Sequence, residues 1–103
     1  MTYRISIKTT IAGATEQMRE SISAIAEHLA EIEENTPAFL GFSVFADPQG
    51  ATALFTLYVG EEDPDKATVA ADSWMVTAIT AAGECAWGWA IFPHPAEHER
   101  VSA

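Results

Sequence analysis

The chain has 103 residues, enough for one domain with its own core, and 49% of them are apolar, too many for a disordered chain. Fifteen acids against five bases give a formal net charge of −10. That balance excludes nucleic acid and anionic membranes as expected partners, because affinity for phosphate begins with Lys and Arg.

Tyr3, Ile5, Ile7 and Ile11 alternate with Arg4, Ser6, Lys8 and Thr10, the period-two pattern of a strand with one buried and one polar face. Gly13-Ala14-Thr15 ends it. A helix is predicted over 15–34, with Thr15 as N-cap and Glu16 in the first turn near the positive helix end. At about 100° per residue, Met18, Ile22, Ile25, Leu29 and Ile32 form one stripe. Glu16, Glu20, Glu27, Glu31 and Glu34 fall nearly opposite. Glu31, Glu33 and Glu34 crowd the negative helix end, which is locally unfavourable. Asn35-Thr36-Pro37 stops the helix, since the residue before proline avoids the α region.

Leu40, Phe42 and Val44, alternating with Gly41, Ser43 and Phe45, predict a second strand. Asp47-Pro48-Gln49-Gly50 is a turn sequence. The third strand, over 51–59, sets Ala53, Phe55, Leu57 and Val59 on one side and Thr52, Leu54, Thr56 and Tyr58 on the other. The short connection makes a hairpin. Asp63-Pro64-Asp65 opens a second helix: Asp63 caps, Pro64 takes the first helical position, and Asp65 suits the dipole. It runs to about Ala82, with Gly83 placed to end it. Ala67, Ala71, Trp74, Ala78 and Ala81 form its inner stripe, with Val69 and Val76 opposite. The last strand is expected over 85–92, stopped by Pro93. Residues 1–93 then form one domain and 94–103 a polar tail.

The order βαββαβ predicts an α+β, ferredoxin-like fold: a four-stranded antiparallel sheet with two crossover helices on one face. The other face must be solvated, bind something or pair with another chain. With Ile5, Ile7, Phe55 and Leu57 inward, that open face carries Arg4, Ser6, Lys8, Leu54, Thr56 and Tyr58. The last strand has a bulky side, Trp87, Trp89 and Ile91, and a small side, Ala86, Gly88 and Ala90. Close helix packing favours the small side inward, which puts Trp87 and Trp89 on the open face. The reverse, with the tryptophans in the core, stays open.

Local motifs add little chemistry. His94-Pro95-Ala96-Glu97-His98 matches an H-x-x-E-H zinc pattern, but that chemistry needs a helix and a third ligand, and Pro95 interrupts it. His28 reads as a boundary residue and Cys85 as a small core residue. No phosphate loop, nucleophile elbow or Cys-x-x-Cys pair is present, so no metal, cofactor or catalytic residue is assigned. Cys85, the only cysteine, excludes an internal disulfide. No apolar run approaches the ~18 residues of a membrane span. The opening Met1-Thr2-Tyr3-Arg4 lacks the parts of a signal peptide. The location expected from these features is cytoplasmic.

Two surfaces are left for binding. Glu16, Glu20, Glu27, Glu31 and Glu34 form an acidic ridge whose spacing, about 6 Å per turn, resembles phosphate spacing and could meet a basic protein. The open sheet face offers Arg4, Lys8, Leu54, Thr56, Tyr58, Trp87 and Trp89 to a ligand or a second copy.

Thr36-Pro37-Ala38-Phe39-Leu40-Gly41-Phe42-Ser43-Val44-Phe45, followed by Ala53-Leu54-Phe55-Thr56-Leu57-Tyr58, resembles the middle of the dimeric α+β barrel proteins, including antibiotic-biosynthesis-monooxygenase-like ones. The resemblance implies a homodimer whose sheets face one another around a small-molecule cavity. It does not extend to that family's Trp after the third strand or His in the second helix, where Gly60 and a His-free helix stand. Two functions follow as expectations. The first is a non-enzymatic, self-associating interaction module with an acidic helix face. The second is a small-molecule-binding or monooxygenase-like dimeric barrel protein.

Overall fold

The computed structural model describes residues 1–12, 18–47, 49–82, 90–93 and 97–100. Its elements are β1 (Thr2–Ala12), α1 (Met18–Asn35), β2 (Phe39–Asp47), β3 (Thr52–Gly60), α2 (Pro64–Ala82), β4 (Ala90–Pro93) and β5 (Glu97–Arg100). Three long antiparallel strands lie in the order β2-β3-β1. The alternation in β1 and β3 becomes a buried face of Tyr3, Ile5, Ile7, Thr9, Ala53, Phe55, Leu57 and Val59. Direct register pairs join Ile5 to Leu57 and Ile7 to Phe55. Thr9 is buried without loss because its Oγ1 donates to the carbonyl of Ala53 at 2.9 Å.

Both helices lie on this face and share one core with it. On α1, Met18, Ser21, Ile25 and Leu29 are buried, while Ile22 and Ile32 are half-buried at the margins of the stripe. Asn35 closes the helix by donating from Nδ2 to the Glu31 carbonyl at 2.9 Å. On α2, Asp63 Oδ1 accepts from the Asp65 N–H at 2.9 Å and the Asp63 carbonyl accepts from Ala67 at 3.0 Å, the N-cap expected from the sequence. The buried stripe is Ala67, Ala71, Met75, Ala78 and Ala82. Ala81, expected inside, is exposed; the stripe is turned toward Met75, whose long side chain fills the core where Ala81 cannot reach. Trp74 instead lies half-buried at the border and stacks flat on Phe39, centroids 4.5 Å apart.

The second strand departs from plain alternation. A bulge between Phe39 and Gly41 puts Phe39 into the core, 3% exposed, and turns Leu40 outward, 55% exposed. Leu40 was expected on the same side as Phe42 and Val44; one extra residue reverses it, while Phe42 and Val44 keep the core side. Gly41 takes φ 157°, a value that side chains resist, so glycine is what lets the bulge form. At the hairpin end, Gly50 N–H donates to Asp47 Oδ1 at 3.2 Å, and Ala51 follows at φ 51° as part of the turn, so β3 starts at Thr52 and not at 51.

The far edge of β1 is paired in two short pieces, β4 against residues 9–12 and β5 against residues 3–6. Residues 97–100 thus form a strand where the sequence reading expected a polar tail. The start of the expected last strand, residues 85–89, lies outside the described residues. Thr9 pairs with Pro93, whereas Ser6 pairs with Glu97, so one extra residue lies between the two pieces and the register shifts by one. Among the described residues, no buried side-chain polar atom lacks a hydrogen-bond partner. Nor, among the described residues, is any helix long and apolar enough to cross a membrane.

Ala51 holds a left-handed conformation that costs an alanine roughly 1 kcal/mol and a glycine almost nothing. Ala51→Gly should therefore raise the thermal midpoint by a few degrees, read by circular dichroism, with the β-signal unchanged. A lower midpoint would show that the turn is not strained.

Candidate functional site

The side of β1 and β3 away from the helices has no covering element among the described residues. Cross-strand register arranges it in rows: Arg4 with Tyr58 and Gly41, Ser6 with Thr56 and Ser43, Lys8 with Leu54 and Phe45. The sequence-predicted residues Arg4, Lys8, Leu54, Thr56 and Tyr58 are thus brought onto one surface. Trp87 and Trp89 lie outside the described residues.

The rows are chemically graded. Phe45 is 71% exposed and Leu54 38%, side by side at one end. Lys8 stands exposed in the same row, while Arg4, Ser6, Thr56 and Tyr58 are half-buried among their neighbours. Leu40, turned out by the bulge, lies over Gly60 at the opposite end, its Cδ1 3.5 Å from where a Cβ on Gly60 would stand. In β5, Glu99 and Glu97 occupy the register positions opposite Arg4 and Ser6. The face can therefore offer apolar contact, hydroxyl hydrogen bonds and positive charge to one ligand. Phe45 and Leu40 were absent from the sequence-predicted site. Phe45 was findable, because a hairpin closed at Asp47 and Thr52 sets Phe45 opposite Leu54. Leu40 was not, because nothing in the pattern marks the bulge.

The acidic ridge is a second, separate surface. Glu20, Glu27, Glu31 and Glu34 are exposed on α1, and Glu16 lies outside the described residues. Glu31 Oε2 is 3.5 Å from His28 Nδ1, one helical turn back. The ridge has the geometry of any solvated face opposite an apolar stripe, and nothing in it selects a basic partner. Glu97 and His98 of the H-x-x-E-H pattern lie on a strand, where helical ligand spacing is lost, and His94 is outside the described residues. Among the described residues no group of His, Cys, Asp or Glu could hold a metal ion.

No family model matches the sequence, and no curated protein matches it. The fold is similar to that of SnoaB from Streptomyces nogalater, a cofactor-independent oxygenase, with a TM-score of 0.51 and 14% identity over 99% of this chain and 92% of that one. An uncharacterized protein from Thermotoga maritima, TM1266, gives a TM-score of 0.39 with 15% identity over 90% of this chain and 96% of that one. The chain is accordingly an α+β protein with the fold of SnoaB, which bears out the structural side of the resemblance seen in its sequence.

Two predictions concern the charged surfaces. Replacing Glu20, Glu27 and Glu31 together by Gln should leave stability equal or slightly higher. Each like-charge pair one turn apart costs only a few tenths of a kcal/mol, and the His28 contact is exposed. Chemical denaturation checks this, and unfolding at ambient temperature would contradict it. Asp72, between Val69 and Val76 on the outer side of α2, has its pKa raised by partial desolvation. A raised folded-state pKa favours the native state at low pH, and that advantage is lost as pH rises through the raised value. Asp72→Asn should therefore be the more stable form at neutral pH and equal to wild type once pH falls below the ordinary carboxylate range. Denaturation midpoints across pH decide it.

Proposed function

We propose that this chain is a small-molecule-binding protein acting as a homodimer of the dimeric α+β barrel kind, with the two open sheet faces turned toward one another around the ligand. The observation that carries the reading is the graded open face itself. Phe45 and Leu54 form an apolar end next to Lys8, Arg4 and Tyr58 supply polar groups beside it, and no described element of the same chain covers it. A face of this composition stays wet in a monomer at a cost that grows with its apolar area, and two-fold association removes that cost. In this reading β4 and β5 together take the place of the fourth strand of the ferredoxin-like sheet along β1. The fold of SnoaB, named as a cofactor-independent oxygenase, fits this reading. Of the described side chains on the face, Tyr58 offers a hydroxyl, Lys8 an ammonium and Arg4 a guanidinium, the hydrogen-bonding groups that a ligand with polar substituents on an apolar body requires.

Light scattering across dilution, on wild type and on Leu54→Asp, tests the dimer. Leu54 is exposed enough for the substitution to leave the fold intact. Wild type should be dimeric at tens of micromolar and Leu54→Asp monomeric with the same helical signal. A wild type that is monomeric at that concentration overturns the reading.

A further inference from the structure

Lys8, Leu54 and Phe45 stand side by side in one cross-strand row of the open face, and all three are exposed. Among the described residues Lys8 has neither an ion pair nor a hydrogen bond, in a chain where fifteen acids face five bases. Arg4, two rows away, is half-buried and already engaged by its surroundings. The acids near Lys8 belong to other rows. Asp47 shares the next row with Thr10 and Thr52, but it stands two strands across from β1 and its Oδ1 accepts from the Gly50 N–H. Glu97 takes the register position opposite Ser6, one row the other way. Within its own row the ammonium has only apolar neighbours.

We propose that the ligand of this face is an apolar carboxylate, its acid group on the Lys8 ammonium and its apolar body across Leu54 and Phe45. The inference rests on the face-to-face dimer proposed above. Closing one open face on another takes Lys8 out of water, and an ammonium that leaves water needs a counter-charge. The row holds none, so the counter-charge comes with the ligand. A neutral alcohol in the same place would leave the ammonium unpaired, and a cationic ligand would be repelled by it. The row also sets the ligand's length. Two strand spacings, about 10 Å, separate Lys8 from Phe45, which is the reach of a fused-ring aromatic acid lying across the strands. Lys8 is then the residue that selects the ligand's charge, and Leu54 and Phe45 are those that select its apolar body.

Naphthoate and naphthalenemethanol, which share a ring system and differ in carrying an acid or an alcohol, are the probes. Titration calorimetry on wild type, Lys8→Gln and Lys8→Arg gives their affinities, with light scattering of each protein at the same concentration. Wild type should be dimeric and bind naphthoate about tenfold more tightly than the alcohol. Lys8→Gln should stay dimeric and lose that preference, while Lys8→Arg keeps it. The alcohol's affinity should be the same in all three proteins. A dimeric wild type that binds both probes equally, or neither, overturns the proposal and leaves the dimer standing. So does a preference that survives Lys8→Gln. A Lys8→Gln variant that falls to monomer overturns it too, by assigning Lys8 to the contact between copies. A monomeric wild type overturns the dimer reading itself, and this proposal with it.

Discussion

Nine residue pairs join β1 to β3, from Thr2–Gly60 to Thr10–Thr52, and every other packing relation in the molecule is set by them. Once Ile5 lies opposite Leu57 and Ile7 opposite Phe55, the period-two pleat assigns each neighbouring residue to a face. The buried face then needs two apolar helices above it. The other face receives whatever the alternation leaves, here the cations Arg4 and Lys8, hydroxyls and exposed Leu54. A slip of one residue would put Arg4 and Lys8 under the helices and Ile5 and Ile7 in water, so register is held by the whole core at once.

The two helices meet this demand differently. α1 has a sharp apolar stripe backed by carboxylates, so its orientation is fixed by polarity. α2 has little such contrast; alanines let it approach β1 and β3 closely, and Met75 fills the gap that small residues leave. The Phe39–Trp74 stack then ties α2 to the start of β2. It depends on the bulge, because only the extra residue at Leu40 turns Phe39 inward while Phe42 and Val44 keep the core side.

Much of this was legible in the sequence because the signals were local. Alternation gave β1 and β3 their faces, and Asp63-Pro64-Asp65 gave the start of α2. What escaped depended on a single residue or on distant contacts. The bulge at Leu40 reverses one side chain without changing composition. Ala81 and Ala82 are equivalent by hydropathy, and only the tilt of α2 on the sheet separates them. Glu97–Arg100 is polar enough to read as a tail, and its pairing with β1 is a backbone property that side-chain patterning does not encode. The open face itself was legible as a surface, while its occupant was not, since no residue on it has a spacing that belongs to one reaction.

The shift between β4 and β5 means that the chain bordering β1 is read in two frames. Across from the core-facing residues of β1 stands an odd-numbered residue in β4, Pro93 opposite Thr9, and an even-numbered one in β5, His98 opposite Ile5. The two pieces therefore meet the same strand in opposite parity, and a change of chain length between them would move every register position of β5 along β1.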